Sequence, residues 1–180
     1  MTARLVVVIV QARMGSSRLP GKVLMDIEGQ PMLERVVQRL SQAELPDEIR
    51  IASSNETIDD PIVALAQRLG LPITRGSQQD VLSRYLVAAE EARADIIVRV
   101  TADCPLIEPD LIDRSIGKLV SDQSLDYVSN TIKRTYPRGL DVEVMWRSVL
   151  TIAAREATRD TDREHVTRFI WRHLARFRTA

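Results

Sequence analysis

Leu5–Val10 is an unbroken apolar run of one leucine, four valines and one isoleucine, set almost at the start of the chain. A β-branched run with no polar face reads as a strand buried on both sides, as in a parallel sheet covered by helices. It is followed at once by Gln11–Lys22, QARMGSSRLPGK, which holds Gly15, Gly21, Ser16, Ser17, Arg13, Arg18 and Lys22. The first acidic residue of the chain is Asp26. A turn-rich cationic loop at the C-terminal end of a buried strand is how α/β proteins hold phosphate groups. The loop matches neither the P-loop pattern nor G-x-G-x-x-G. It therefore reads either as a phosphate cradle or as a solvated basic turn.

Length bounds the rest. A chain of 180 residues is expected to form a single domain, 1–180, with a real core. Its 25 basic and 25 acidic side chains balance. A general nucleic-acid binder would carry a basic excess, so that class is excluded as an expectation. The one cysteine, Cys104, cannot form an internal disulfide and fits a reducing compartment. No apolar stretch is long enough to span a bilayer. The expected location is the cytoplasm, with no membrane partner.

Short apolar runs alternate with amphipathic stretches. Strands are expected at 5–10, 48–53, 72–74, 95–100, 126–129 and 141–146. Helices are expected at 31–43, 61–69, 80–92, 109–119, 148–156 and 163–177. Pro31 and Pro61 suit first helical turns, and Gly70 suits a helix C-cap. This alternation predicts a three-layer α/β/α fold with a mostly parallel sheet, whose ligands lie outside the C-terminal strand ends.

Several polar motifs fall at those ends. In VRVTADCPLI, Asp103 follows a strand, where it can serve a magnesium ion or simply cap the turn before Pro105. Cys104 beside it reads as a small packed thiol. In RGSQQDVLSRY, Asp80 can cap a helix, and Arg84 either pairs with Asp80 four residues back or meets a ligand. In YPRGLDVEV, Asp141 and Glu143 would share one face of a strand, as a polar site or a solvated edge. Val166, Phe169, Ile170, Leu174 and Phe177 make one apolar stripe along the last helix. His165 and His173 have no companions at metal-ligand spacing.

Taken in order, QARMGSSRLPGKVLMDIEGQPML, RGSQQDVLSRY, RVTADCPLIEPDLID, DYVSNT, YPRGLDVEV and REHVTRFI resemble the cytidylyltransferase family of CMP-sugar synthetases. The resemblance is to the spore-coat polysaccharide biosynthesis protein F type, related to CMP-Kdo synthetase and acylneuraminate cytidylyltransferase. It covers nearly the whole chain. It implies a glycosyltransferase-A-like fold and transfer of CMP from CTP to a sugar, an acidic one in this family's pattern, with release of pyrophosphate for surface polysaccharide synthesis. It places the triphosphate on Arg13, Ser16 and Lys22, and the base near Gln11, Ala12, Arg75 and Gly76, with Gly15 and Arg84 also among the nucleotide-binding residues. Arg138, Asp141 and Glu143 would serve the sugar. Arg13, Lys22 and Asp103 would be catalytic, with Asp103 holding Mg2+. Ala102 stands where the family often has glycine. Similar proteins run on past the position of Ala180 into a further strand with a second metal-binding aspartate, so a C-terminally short domain is expected. A homodimer is also implied. Two alternatives stay open: a shortened relative that binds nucleotide or a partner without turnover, and a glycosyltransferase or other nucleotidyltransferase on the same fold.

Overall fold

The computed structural model describes residues 4–16 and 18–180, so Ser17 of the first loop lies outside the described residues. The chain runs β1 (Val6–Gln11), the hairpin β2 (Asp26–Ile27) and β3 (Gln30–Pro31), α1 (Met32–Leu40), β4 (Glu48–Ser54), α2 (Asp60–Arg68), β5 (Ile73–Gly76) and α3 (Val81–Glu91). It continues through β6 (Ile96–Thr101), α4 (Pro109–Ser121), β7 (Tyr127–Ser129), β8 (Glu143–Trp146), α5 (Arg147–Glu156), α6 (Asp160–Glu164) and α7 (Arg168–Arg172). Six strands form one sheet in the order β5-β4-β1-β6-β8-β7. The first four are parallel, and β8 runs antiparallel to both β6 and β7. Backbone groups of residues 178–180 pair with the outer edge of β7.

Alternation along β1 builds the two outer layers. Val6, Val8 and Val10 face Leu33, Val36 and Leu40 of α1 and Ile112 and Ile116 of α4. Val7 and Ile9 face Leu82, Tyr85 and Ala89 of α3 and Val149 and Leu150 of α5. Helices on both faces explain why the strand carries no polar side, as the sequence leads one to expect. Gly70, at φ 67°, closes α2 in the left-handed cap that favours glycine. No helix among the described residues is long and apolar enough to cross a membrane.

Three expectations are corrected. The hairpin β2–β3 is new; Glu28 and Gly29 both take positive φ, 51° and 84°, as a tight hairpin turn requires. Residues 163–177 are not one helix. The chain breaks between α6 and α7 at Val166, whose φ is 54° and whose side chain is fully buried. The break seats Val166, Phe169, Ile170 and Phe177 in the core, while Leu174 of the expected stripe stays 47% exposed. Left-handed backbone in a β-branched residue costs about 1–3 kcal/mol and persists only where its surroundings impose it. Lastly, β8 begins at Glu143, so Asp141 is not on the strand. The Asn130 side chain holds that segment instead, donating to Leu140 O at 2.6 Å and accepting from Val142 N–H at 3.0 Å.

Tyr85 sits fully buried under the sheet, with its hydroxyl 3.2 Å from Ile9 O and 3.3 Å from Val100 O. Burial pushes its phenol from the ordinary 10.0 up to about 12. In the unfolded chain the phenol ionises first, so its contribution to stability is whole below pH 10 and drains away as pH rises toward 12. We expect melting temperature to fall over that window, and Tyr85→Phe to flatten the fall. Identical alkaline slopes for the two proteins would refute this.

Candidate active site

The strand order reverses around β1: the chain moves from β1 to β4 and β5 on one side, then returns to place β6 on the other. Ligands of open α/β sheets bind at such a switch point. Gln11 and Thr101 stand side by side there at the ends of β1 and β6, and Ala102 N–H donates to Gln11 O at 2.9 Å.

The loop after β1 is anchored by a residue the sequence reading missed. Asp59 is 1% exposed and accepts from Met14 N–H at 2.7 Å, from Ser54 N–H at 3.1 Å and from the Ser53 and Ser54 hydroxyls. The serines lie five or six positions back, but the bond to Met14 that anchors the loop spans 45 positions and no local pattern signals it. Met14 O in turn accepts from Ser16 N–H and Gly21 N–H at 2.8 and 2.9 Å. Gly21 has φ 73°, the left-handed conformation that lets the chain double back and present Lys22.

The result is a cleft of about 210 Å³ lined by Gln11, Arg13, Ser16, Arg18, Lys22 and Asp103 among others. Lys22 Nζ and an Asp103 carboxylate oxygen form an ion pair across it. Burial works to raise the Asp103 pKa, but hydrogen bonds from Lys22 and Thr101 outweigh it and hold the carboxyl below the usual range. Cys104 next to it is 6% exposed with Sγ 3.2 Å from Thr101 Oγ1, and burial pushes its thiol up, as befits a packed side chain.

Two larger cavities adjoin the cleft. Arg13 also lines one of about 520 Å³, walled by the Ser77–Asp80 turn and by Asp160, Arg163 and Glu164 of α6. Thr101 also lines one of about 630 Å³, walled by Arg99, Arg134, Asp141, Glu143, Thr167 and Trp171 with His165 and two further arginines. The floor of the second is a buried network. Glu143, 3% exposed, pairs with Arg99 through one oxygen; the other accepts from the Tyr127 hydroxyl at 2.5 Å and the Thr167 hydroxyl at 2.8 Å. Burial works against the Arg99 charge, and the Glu143 carboxylate more than restores it. Arg99 Nη2 reaches Gln11 Oε1 at 3.3 Å, which ties this floor to the cleft.

Of the sequence candidates, Gln11, Arg13, Ser16, Lys22 and Asp103 come together. Ala12 is buried backbone beneath them, its N–H donating to Ala52 O at 3.1 Å. Gly15 packs near Gln78 at the edge. Arg75, Gly76 and Arg84 line none of the three cavities. The Arg75 guanidinium is taken up by the carbonyls of Ser54 and Glu56, at 2.8 and 2.9 Å, and by Asp60. Arg84 is fully buried, donates to Ser77 O at 2.8 Å, and has its pKa lowered by desolvation. It packs so close to Gly76 that a Cβ there would lie 3.2 Å from its side chain. The helical pair with Asp80 does not form: Asp80 caps α3 through Ser83 N–H at 2.9 Å and pairs with Arg163. Arg138 is exposed outside the 630 Å³ cavity, and Arg134 takes that place, gripping Asp141 at 2.6 and 3.1 Å. Asp141 and Glu143 do share a cavity, but Glu143 is a buried node rather than a solvated edge.

A six-stranded, mostly parallel sheet with a cationic cleft at its switch point defines an open α/β domain of the kind that binds ligands at its strand ends. The chain belongs to the cytidylyltransferase family, whose sequence model matches residues 7–180. It is 36% identical over 175 residues to the spore coat polysaccharide biosynthesis protein SpsF of Bacillus subtilis, covering 94% of this chain and 71% of that protein. It is 38% identical over 117 residues to the 3-deoxy-manno-octulosonate cytidylyltransferase of Geobacter metallireducens, covering 65% of this chain and 45% of that one. A solved cytidylyltransferase from Leptospira borgpetersenii superposes with a TM-score of 0.95 at 31% identity, over 98% of this chain and 75% of the other. Across the curated relatives it matches, the chain spans from under half to about seven tenths of their length.

Proposed function

We propose that this domain transfers CMP from CTP to a sugar hydroxyl, releasing pyrophosphate, in the synthesis of a surface polysaccharide. One observation carries the reading: three cavities lie in file, joined through Arg13 and Thr101, with the cationic cleft in the middle. That order suits a nucleoside on one side, its triphosphate at the centre and an acceptor on the other. The acceptor oxygen attacks the α-phosphorus, the bond to pyrophosphate breaks, and the hydroxyl proton leaves. Arg13, Arg18 and Lys22 face the negative charge of the triphosphate and of the departing pyrophosphate. Such transfer depends mainly on position and electrostatics.

Asp103 fits a magnesium ion. It is a hard oxygen donor at the rim of the phosphate cleft, and magnesium takes one or two protein carboxylates and fills its shell with water and substrate oxygens. Bound there, the ion would neutralise phosphate charge. Nucleotide must first part Lys22 from Asp103, freeing the ammonium for phosphate and the carboxylate for the metal. The acceptor cavity presents four arginines; Glu143, Asp141 and Asp162 pair with three of them, and Arg168, without such a pair among the described residues, remains to meet an acidic sugar. The Geobacter relative is named for such a sugar. A cytoplasmic homodimer belongs to the same proposal.

CTP with magnesium is expected to stabilise the fold by about 2.7 kcal/mol at a hundred times Kd. At about 2–4 °C per kcal/mol this is readily seen in a melt. Asp103→Asn is expected to abolish the magnesium-dependent part of that shift. Pyrophosphate release over a panel of acidic sugars tests turnover. Stabilisation without release from any sugar would favour a nucleotide-binding relative; protection by another nucleoside triphosphate instead of CTP would sink the cytidylyl assignment.

A further inference from the structure

Residues 160–172 run past both cavities that flank the triphosphate cleft. α6 gives Asp160, Arg163 and Glu164 to the nucleoside side, and the residues after it give Thr167 and Trp171 to the acceptor side. Between them stands the buried, left-handed Val166. A strained β-branched residue persists only where its neighbours hold it from both directions. On the acceptor side the hold is the Thr167–Glu143 hydrogen bond and the burial of Phe169 and Ile170. On the other side the Arg163 guanidinium makes most of the hold, beside the longer Arg13–Glu164 and Asp162–Arg172 pairs at 3.9 and 3.4 Å. Arg163 Nε and Nη2 reach Asp80 Oδ2 at 2.7 and 2.6 Å, and Nη1 donates to the carbonyls of Ala154 and Ala157 at 3.0 Å each. The other Asp80 oxygen caps α3, the helix that follows the Ser77–Asp80 turn. Arg163 thus fastens α6, which the chain continues through Val166 into the acceptor wall, to the turn that walls the nucleoside cavity.

We propose that Arg163 is a positioning residue that couples the two halves of the site. Nucleotide settling against Arg13 and the Ser77–Asp80 turn moves Asp80, and Arg163 passes that movement through Val166 to Thr167 and Trp171. The inference rests on the nucleotide reading above. Arg163 serves a carboxylate and two carbonyls at once, which a fork can do and an ammonium on a flexible stem cannot. The coupling is reciprocal, so an occupied acceptor cavity alters nucleotide affinity by the same factor.

The chain has two tryptophans, Trp146 and Trp171. Trp171 lines the acceptor cavity, its Nε1 donating to the Tyr127 hydroxyl at 3.0 Å. Trp146 ends β8 beside Ile96 at the start of β6, the far end of the strands from the cleft, under Arg4. In a Trp146→Phe background, Trp171 emission therefore reports on the acceptor wall. CTP–magnesium, at concentrations that calorimetry shows to be saturating for each protein, is expected to shift that emission. Arg163→Lys is expected to bind CTP yet lose most of the shift. Asp80→Asn should do the same; asparagine caps a helix as well as aspartate, so this second variant serves where Arg163→Lys fails to fold. Saturating CTP that leaves Trp171 emission unchanged overturns the proposal, as does a full shift in either variant. Absence of any calorimetric CTP binding by the parent protein fells the nucleotide reading, and the coupling with it.

Discussion

Lys22→Ala is expected to slow pyrophosphate release from CTP by about 10²–10³-fold, the loss typical when one preorganised charge is removed from a developing anion. Lys22 is the cation that Gly21 turns into the cleft, and it faces the one carboxylate there, Asp103. The same change should barely affect stability. The Lys22–Asp103 pair is partly exposed, and such pairs contribute about 0–1 kcal/mol. Melting temperature should therefore stay within a few degrees of the parent. Magnesium affinity at Asp103 in the absence of nucleotide should hold or improve, because the ammonium no longer competes for the carboxylate. Lys22→Arg keeps the charge but not the compact ammonium, and should recover part of the rate. Steady-state pyrophosphate assays beside thermal melts decide the matter. A parental rate in Lys22→Ala would remove the cleft from the mechanism.

The reverse pattern is expected at Glu143. Glu143→Ala should destabilise the fold by about 3–5 kcal/mol, the range for breaking a buried ion pair from one side. Both carboxylate oxygens are committed: one to Arg99, the other to the Tyr127 and Thr167 hydroxyls. Removing them leaves a half-buried guanidinium and two buried hydroxyls without that partner. Against a total stability of about 5–15 kcal/mol, that loss is large. Glu143→Gln keeps the shape and can still accept from the hydroxyls, so it should cost clearly less. Urea denaturation of both variants measures the difference. A Glu143→Ala protein within about 1 kcal/mol of the parent would show that the network does not hold the acceptor floor, since surface changes usually fall inside that margin.

The two residues also show where sequence reasoning reaches and where it stops. Lys22 and Asp103 sit in loops directly after β-branched runs, and an α/β sheet brings all its parallel strand ends to one edge. Their meeting follows from local pattern plus one topological rule. Glu143 belongs to a motif that the resemblance marks as functional, yet its role depends on Arg99 of β6, Tyr127 of β7 and Thr167 just before α7. No spacing along the chain announces that gathering. Arg75 and Arg84 show what local pattern leaves out: a basic residue at a strand end or helix start looks ready for a ligand, and the backbone carbonyls of Ser54, Glu56 and Ser77 engage their guanidinium groups. The long apolar period over 163–177 likewise hides the break at Val166, because periodicity records which residues are buried and not the path that buries them.

By itself, then, the sequence determined the sheet, its helical layers and the cationic loop after β1, because side-chain alternation, caps and turn residues act over a few neighbouring positions. Only the tertiary structure decided how the site is held together. Asp59 under the first loop, Glu143 under the acceptor cavity and the Asp80–Arg163 fastening are contacts across 45, 44 and 83 positions of chain. Such pairs form because burial leaves a charge or hydroxyl no water to turn to, and the partner it finds is set by the packing of whole elements rather than by sequence neighbours.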